Sequence, residues 1–246
     1  MKSISPELSI MIKASEKASK ILIRDFGEIE NLQVSKKGPH DFVTSSDRKV
    51  EKVIMEELFK FKKKYSIISE ERGILMREDK ENIWIIDPID GTNNFLHGIP
   101  HFCISIAFQS KDEILSGVIF DPIKNEIFYA EKDNGSFFNN HRMKVSKKKN
   151  FEDCLFSSNL KSNPINKLNL RITGSAALDL AYVGSGRFDG YFQKDLNIWD
   201  VAAGIIIVKE SGGIVNNINL SSVNKIDIIA SSDNIHKKLV KNLDKF

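Results

Sequence analysis

Cysteine is scarce. Cys103 and Cys154 are the only two among 246 residues; both lie in apolar, strand-like segments, and no CxxC spacing occurs. Reduced core thiols are therefore expected rather than a disulfide framework. Long apolar runs are missing too, since nothing approaches the roughly 18 residues that a membrane span needs. The opening MKSISPELSIMIKASEKASK lacks the continuous apolar core of a signal peptide. These absences lead to the expectation of a cytoplasmic protein. Nor does either charge dominate: 36 Lys and Arg against 33 Asp and Glu leave a net +3. The runs Lys62–Lys64 and Lys147–Lys149 read as solvated faces, and no basic patch interleaved with aromatics indicates nucleic acid.

Some familiar signatures are also wanting. His97 and His101 are four apart, but Gly98 and Pro100 between them argue against the helix that a shared zinc face would need. The glycines at 184, 186 and 190 miss the G-x-G-x-x-G spacing by one, so a helix-ending turn is the better reading. Internal repeats, low-complexity segments and long linkers are absent.

What is present is a chain of ordinary globular composition, 41% hydrophobic and 28% charged, long enough for one large domain or two small ones. Leu8, Met11, Ile12, Ser15, Ala18 and Leu22 recur at three- and four-residue spacing, predicting a first helix that ends near Gly27. A second helix is predicted after Thr44 to about Phe61. The short apolar runs SIIS, IWII, FCISIAF, ILSGVIF and EIFYA predict strands. After Cys154 helices and strands alternate: CLFSS, a helix from Gly174-Ser175 to about Val183, a strand around Tyr191, a helix from Ile198 to Ser211, the strand IDIIA and a last helix. The expectation is a layered α/β or α+β protein, an N-terminal α+β half (about 1–150) and a C-terminal α/β half (about 151–246) joined near 145–155.

The carboxylates carry the chemical signal. Glu70 and Glu71 follow SIIS, Asp87 and Asp90 follow IWII, and Asp200 opens the helix WDVAAG. Each stands at the end of a regular element, fixed by backbone geometry yet reachable. Singly, each also suits a turn or a helix cap. As a set, without histidine or thiolate partners, they suit a hard cation with oxygen ligands, Mg²⁺ best. Gly91 and Thr92 follow directly and would open a helix or tight turn with free N–H groups, an anion site that glycine lets a phosphate approach closely. Cations beside such a backbone describe phosphoryl transfer.

At this point DPIDGTNNF resembles the first signature of the inositol monophosphatase family, and WDVAAG with the following ESGG resembles the second. RITGSAALDLAYVGSGRFDGYF is similar to the bacterial members, which include the extragenic suppressor proteins. Lys36, Asp41-Phe42-Val43-Thr44, Asp47 and IISEE match as well, so the resemblance runs from about residue 8 to 235. It implies a single domain with the αβαβα sandwich shared by inositol monophosphatases and fructose-1,6-bisphosphatases. It also implies a Mg²⁺-dependent, Li⁺-sensitive phosphomonoesterase, commonly a homodimer, with two or three Mg²⁺ per site, acting on myo-inositol 1-phosphate by attack of a metal-activated water.

Residue by residue, the resemblance assigns Glu70, Asp87 and the Ile89 carbonyl to a first metal. Asp87, Asp90 and Asp200 go to a second, and Glu70 also reaches a third. Asp47 and Thr92 would orient and deprotonate the water. Gly91 and Thr92 N–H groups would hold phosphate oxygens, and Asp90, Gly174, Ser175, Ala176 and Asp200 would face the alcohol. Lys36 would sit in a mobile loop, Ser35 to Pro39. One departure stands out: seven residues before Asp200, where the family typically carries glutamate, is Gln193, a neutral side chain that donates as well as accepts. Metal binding is expected to be untouched and polyol preference to be altered. Alternatives within the enzyme class are phosphatases of fructose 1,6-bisphosphate, histidinol phosphate or 3′-phosphoadenosine nucleotides. The alternative outside it is a binding role with the transcription and ribosomal-RNA machinery.

Overall fold

The structure is a computed structural model that describes residues 4–29, 34–36, 42–159, 168–218 and 225–243. Its first helix, α1 (Pro6–Gly27), starts at Ser5, whose hydroxyl accepts the Leu8 N–H at 3.1 Å, with a proline in first position. A second, α2 (Ser45–Phe61), follows the small antiparallel ladder of β1 (Val34–Lys36) and β2 (Phe42–Thr44). Leu8, Met11, Ala18 and Leu22 of α1, with Val50, Ile54 and Leu58 of α2, form the buried stripes that the three- and four-residue spacing predicts.

Those stripes cover one face of an eight-stranded sheet. In chain order its strands are β3 (Tyr65–Ser69), β4 (Gly73–Leu75), β5 (Asp79–Asp90), β6 (Cys103–Ser110), β7 (Glu113–Asp121), β8 (Glu126–Glu131), β9 (Gly135–Phe138) and β10 (His141–Arg142). In space they run β10-β9-β8-β7-β6-β5-β3-β4, with β3 and β5 parallel and the other pairs antiparallel. A short helix, α3 (Thr92–Leu96), joins β5 to β6. Trp84 and Ile86 point into the α1–α2 core, whereas Ile85 points to the opposite one. Burial on both faces is why IWII reads as a continuous apolar run.

The chain then builds β11 (Leu155–Ser157), β12 (Asn169–Arg171), α4 (Ala176–Gly184), β13 (Gly190–Leu196), α5 (Ile198–Glu210), β14 (Gly213–Val215), β15 (Ile226–Ser232) and α6 (Asp233–Leu243). The five strands form a second sheet, ordered β12-β11-β13-β15-β14. Between the two sheets lie α4 and α5. Ala177, Ala181, Ala203 and Ile206 pack with Ile85, Ala107 and Ile119 of the first sheet. Leu180, Val201, Ile205 and Val208 pack with Tyr191, Ile228 and Ala230 of the second. A helix apolar all round is what two flanking sheets require. The far face of the second sheet is covered by Ile235 and Leu239 of α6, against Phe156 and Phe192. The layers are thus α, β, α, β, α, the sandwich expected.

Two local features differ from the sequence reading. The hairpin β1–β2 and the short strands β4, β9, β10, β12 and β14 carry too few alternations to be seen as patterns. Ser35 and Lys36, expected in a loop, stand in β1 opposite Val43 and Phe42, while the remainder of that loop, residues 37–39, lies outside the described residues. No helix among the described residues is long and apolar enough to cross a membrane.

Candidate active site

The strand β5 does not end cleanly. Its pairing with β6 breaks register between Asp87 and Asp90, where Pro88 has no N–H to give to a ladder. Asp87 Oδ1 accepts the Ile89 N–H at 3.0 Å and so shapes this bulge. Gly91 follows with φ +96°, and a Cβ there would stand 3.0 Å from the His101 carbonyl oxygen. Only glycine turns the chain left-handed at that point while the backbone of the neighbouring segment passes so close. The turn starts α3, and the Thr92 hydroxyl donates to the Ile89 carbonyl at 2.9 Å.

Asp90 is buried and held by α4. The Ser175 hydroxyl donates to its Oδ2, as does the Ala177 N–H at 2.8 Å, while the Ala176 N–H reaches Oδ1 at 3.3 Å. A carboxylate on a helix N-terminus is favoured by the free N–H groups and the dipole. The Cys103 thiol, across β6, lies 3.7 Å from Oδ2 and 3.9 Å from the Ser175 hydroxyl. Burial beside Asp90 and Asp87 pushes that thiol well above its usual range, so it stays protonated and unreactive. Asn94 closes the arrangement from outside, its amide donating to the His101 and Thr173 carbonyls, both at 2.8 Å. Thr173 in turn donates to the buried Asp179 at 2.7 Å.

Three more acids converge here from other elements. Glu70 tops β3, its N–H donating to the Ile86 carbonyl at 3.2 Å, and its carboxyl shares a hydrogen bond with Asp87. Asp47 is buried in the first turn of α2 and acts on Glu70 through its charge. Asp200, in the first turn of α5, accepts the Asn197 N–H at 2.7 Å. Burial and then the neighbouring carboxylates raise Glu70 to about 8. Burial raises Asp200 to about 7, with Asp90 adding to it and the Asn197 N–H opposing. Asp87 is pushed well up by burial, Glu70, Asp90 and Asp200; Asp90 is raised by burial despite its donors.

The structure therefore brings Asp47, Glu70, Asp87, Asp90 and Asp200 into one electrostatic cluster, and sets Gly91, Thr92, Gly174, Ser175 and Ala176 around Asp90. Gln193 is tied to Tyr191, whose hydroxyl donates to its Oε1 at 2.7 Å and lies within range of the Asp90 and Asp200 charges. Among the described residues no three acids or histidines already encircle a metal position. The physical reason is visible: Glu70 and Asp87 lean on each other, Asp90 on α4 and Asp200 on Asn197. Their chemistry is that of a hard-cation site, since several oxygen donors with raised pKa values are relieved by a positive ion. The side chain of Lys36 lies outside the described residues. Asn94, Cys103, Tyr191 and Asp179 were not singled out as supports from the sequence; Asn94, Asp179 and Tyr191 lie within the quoted motifs, whereas Cys103 is tied to the site only by its pairing opposite Asp90.

A family model described as the inositol monophosphatase family matches residues 4–245. The chain belongs to the inositol monophosphatase family. The family is one of phosphatases, and the chain is an enzyme of that kind. It is similar to the inositol-1-monophosphatase of Rhizobium meliloti (strain 1021), at 43% identity over 221 residues, covering 84% of this chain and 83% of that one. It is similar to the Nus factor SuhB of Escherichia coli (strain K12), at 37% identity over 226 residues, covering 86% and 85%. Among solved structures, the extragenic suppressor protein suhB from Bartonella henselae superposes with a TM-score of 0.93 at 42% identity, covering 98% of this chain and 99% of that one.

Proposed function

We propose that this family member is a Mg²⁺-dependent phosphomonoesterase that hydrolyses myo-inositol 1-phosphate and related polyol phosphates. The observation that carries the reading is the convergence of five acids on the end of β5, beside the left-handed Gly91 turn. Glu70, Asp87, Asp90, Asp200 and the Ile89 carbonyl would hold two or three Mg²⁺. Bound there, the ions supply positive charge to the phosphoryl oxygens and acidify water. Gly91 and Thr92 N–H groups orient the phosphate. Thr92 orients a water, and as its hydroxyl takes the water's proton it passes its own to the Asp47 carboxylate; the water oxygen bonds to phosphorus as the ester P–O bond breaks, and the alcohol oxygen leaves and is protonated by solvent water. Gly174, Ser175, Ala176 and Gln193 face the alcohol. The assembly is a cytoplasmic homodimer, and Li⁺ inhibits it.

The test is phosphate release from inositol 1-phosphate, glycerol 2-phosphate, fructose 1,6-bisphosphate, histidinol phosphate and 3′-phosphoadenosine phosphate, with Mg²⁺ and with added Li⁺. Turnover of the polyol phosphates, suppressed by Li⁺, is expected; no turnover of any substrate overturns the reading. Gln193→Glu is expected to shift the ratio of kcat/KM between inositol phosphate and a sugar phosphate, and an unchanged ratio removes Gln193 from selectivity. A second reading, binding to the transcription machinery, is favoured by the similarity to a protein named Nus factor SuhB. Asp90→Asn separates the two: lost turnover with an intact cellular phenotype makes binding the cellular role.

A further inference from the structure

The turn that carries Glu70 spans only Glu70 to Arg72, because Ser69 already pairs with Gly73 across β3 and β4. Two ion pairs run from this turn to α2, and they are reciprocal. Arg72 Nε donates to Glu51 Oε2 at 3.0 Å, while Arg48 of α2 stands 3.8 Å from Glu71. Each element supplies one cation and one anion to the crossing. The pairs are unequal, however. Both arginines are more than half exposed and both carboxylates are buried, but Arg48 Nε stands 3.8 Å from Glu71 whereas Arg72 Nε bonds Glu51 directly. The Glu51 side chain is 1% exposed, and its Oε1 has no hydrogen-bond partner among the described residues. A buried carboxylate stripped of its partner is costly, so Arg72 is drawn firmly to it.

Glu51 lies four residues beyond Asp47, on the same face of α2. Whatever fixes Glu51 to the turn therefore also fixes the Asp47 face relative to Glu70. Left to themselves, two carboxylates near each other separate. We propose that Arg72 is a positioning residue: through Glu51 it clamps the Glu70 turn onto α2 and holds Glu70, a cation ligand, beside Asp47, the acid that backs Thr92, against their mutual repulsion. The clamp rests on the assignment of Glu70 to cation binding made above.

The experiment uses the full chain with Arg72→Gln, Arg72→Lys, Glu51→Gln and the Arg72→Gln/Glu51→Gln double variant. Hydrogen exchange of the metal-free proteins is read at Glu70 to Gly73, and Mn²⁺ affinity by calorimetric titration. Arg72→Gln is expected to speed exchange in that turn alone and to weaken Mn²⁺ binding on the order of 10-fold, the scale seen when support of a metal ligand is lost. Arg72→Lys should restore part of both, and the double variant should add little to either single change. Unchanged exchange in the turn, or acceleration spread evenly over the chain, overturns the clamp. Faster exchange with unaltered Mn²⁺ affinity overturns its link to the cation. A wild-type protein that binds no Mn²⁺ instead overturns the metal assignment, and the exchange data then still decide whether the clamp exists.

Discussion

Asp90 shows how far a single side chain can be committed by its surroundings. Three donors from the start of α4 face its two oxygens, and an amide keeps only one oxygen to accept them, so at least one donor would be left facing an NH₂ group. Asp90→Asn is expected to reduce phosphate release by more than about 100-fold, beyond the loss of an outer-shell partner, with circular dichroism reporting an intact fold. The raised carboxyls add a pH effect whose sign is fixed. Glu70 rises from 4.5 to about 8 and Asp200 from 3.8 to about 7, so the folded state holds these protons more tightly than the unfolded chain. Their stabilisation is present at low pH and is lost as pH climbs toward those folded values. The metal-free protein should therefore melt at a lower temperature at about pH 8 than at about pH 5.5, and Mg²⁺ should raise Tm most at the higher pH. Equal Mg²⁺ effects at both pH values contradict the cluster. At this scale the ligand-type residues were legible, because Asp and Glu at element ends are chemically distinctive. Asn94 and Asp179 lie inside the motifs DPIDGTNNF and RITGSAALDLAYVGSGRFDGYF, but their supporting role was not legible, because it rests on Thr173, 79 and 6 residues away.

Among the elements, α5 is closely packed on both sides. It runs between two sheets and beside α4 so closely that a Cβ on Gly204 would stand 2.5 Å from the Leu180 Cβ. Gly204→Ala improves helix propensity by about 1 kcal/mol, but the clash is with the root of a side chain and cannot be relieved by rotation. A net loss of about 1–3 kcal/mol is expected in urea unfolding, as for other overpacked cores. Gly91→Ala is expected to cost about 1–3 kcal/mol by a different route, backbone strain at φ +96°. The long helices and the central strands were readable because their periods are sustained, as with Leu8, Met11, Ala18 and Leu22. The two-residue β10 is held by pairing to β9, information that lies in Phe137 and Phe138 rather than in itself.

At the scale of the whole molecule, the two tryptophans report on different layers. Trp84 sits in the core under α1 and α2, and Trp199 packs against the core shared by the first sheet and α4–α5. Because α4 and α5 contribute to both inner cores, the layers are expected to unfold together. Fluorescence of Trp84→Phe and Trp199→Phe variants should give coincident denaturant midpoints after correction for each variant's stability, and separated midpoints would mark independent units. The layer order itself was only partly visible in the chain: alternation announced α/β, while the sharing of one helical layer by two sheets emerged from the resemblance and the folded contacts.

That shared layer has a consequence for synthesis. A ribosome delivers Ile85, Ala107 and Ile119 well before Ala177, Ala203 and Ile206, the side chains that cover them. While the chain grows, one broad apolar face of the first sheet has nothing over it. The nascent protein passes through a sticky interval, and a chaperone that binds apolar strands has its natural moment there.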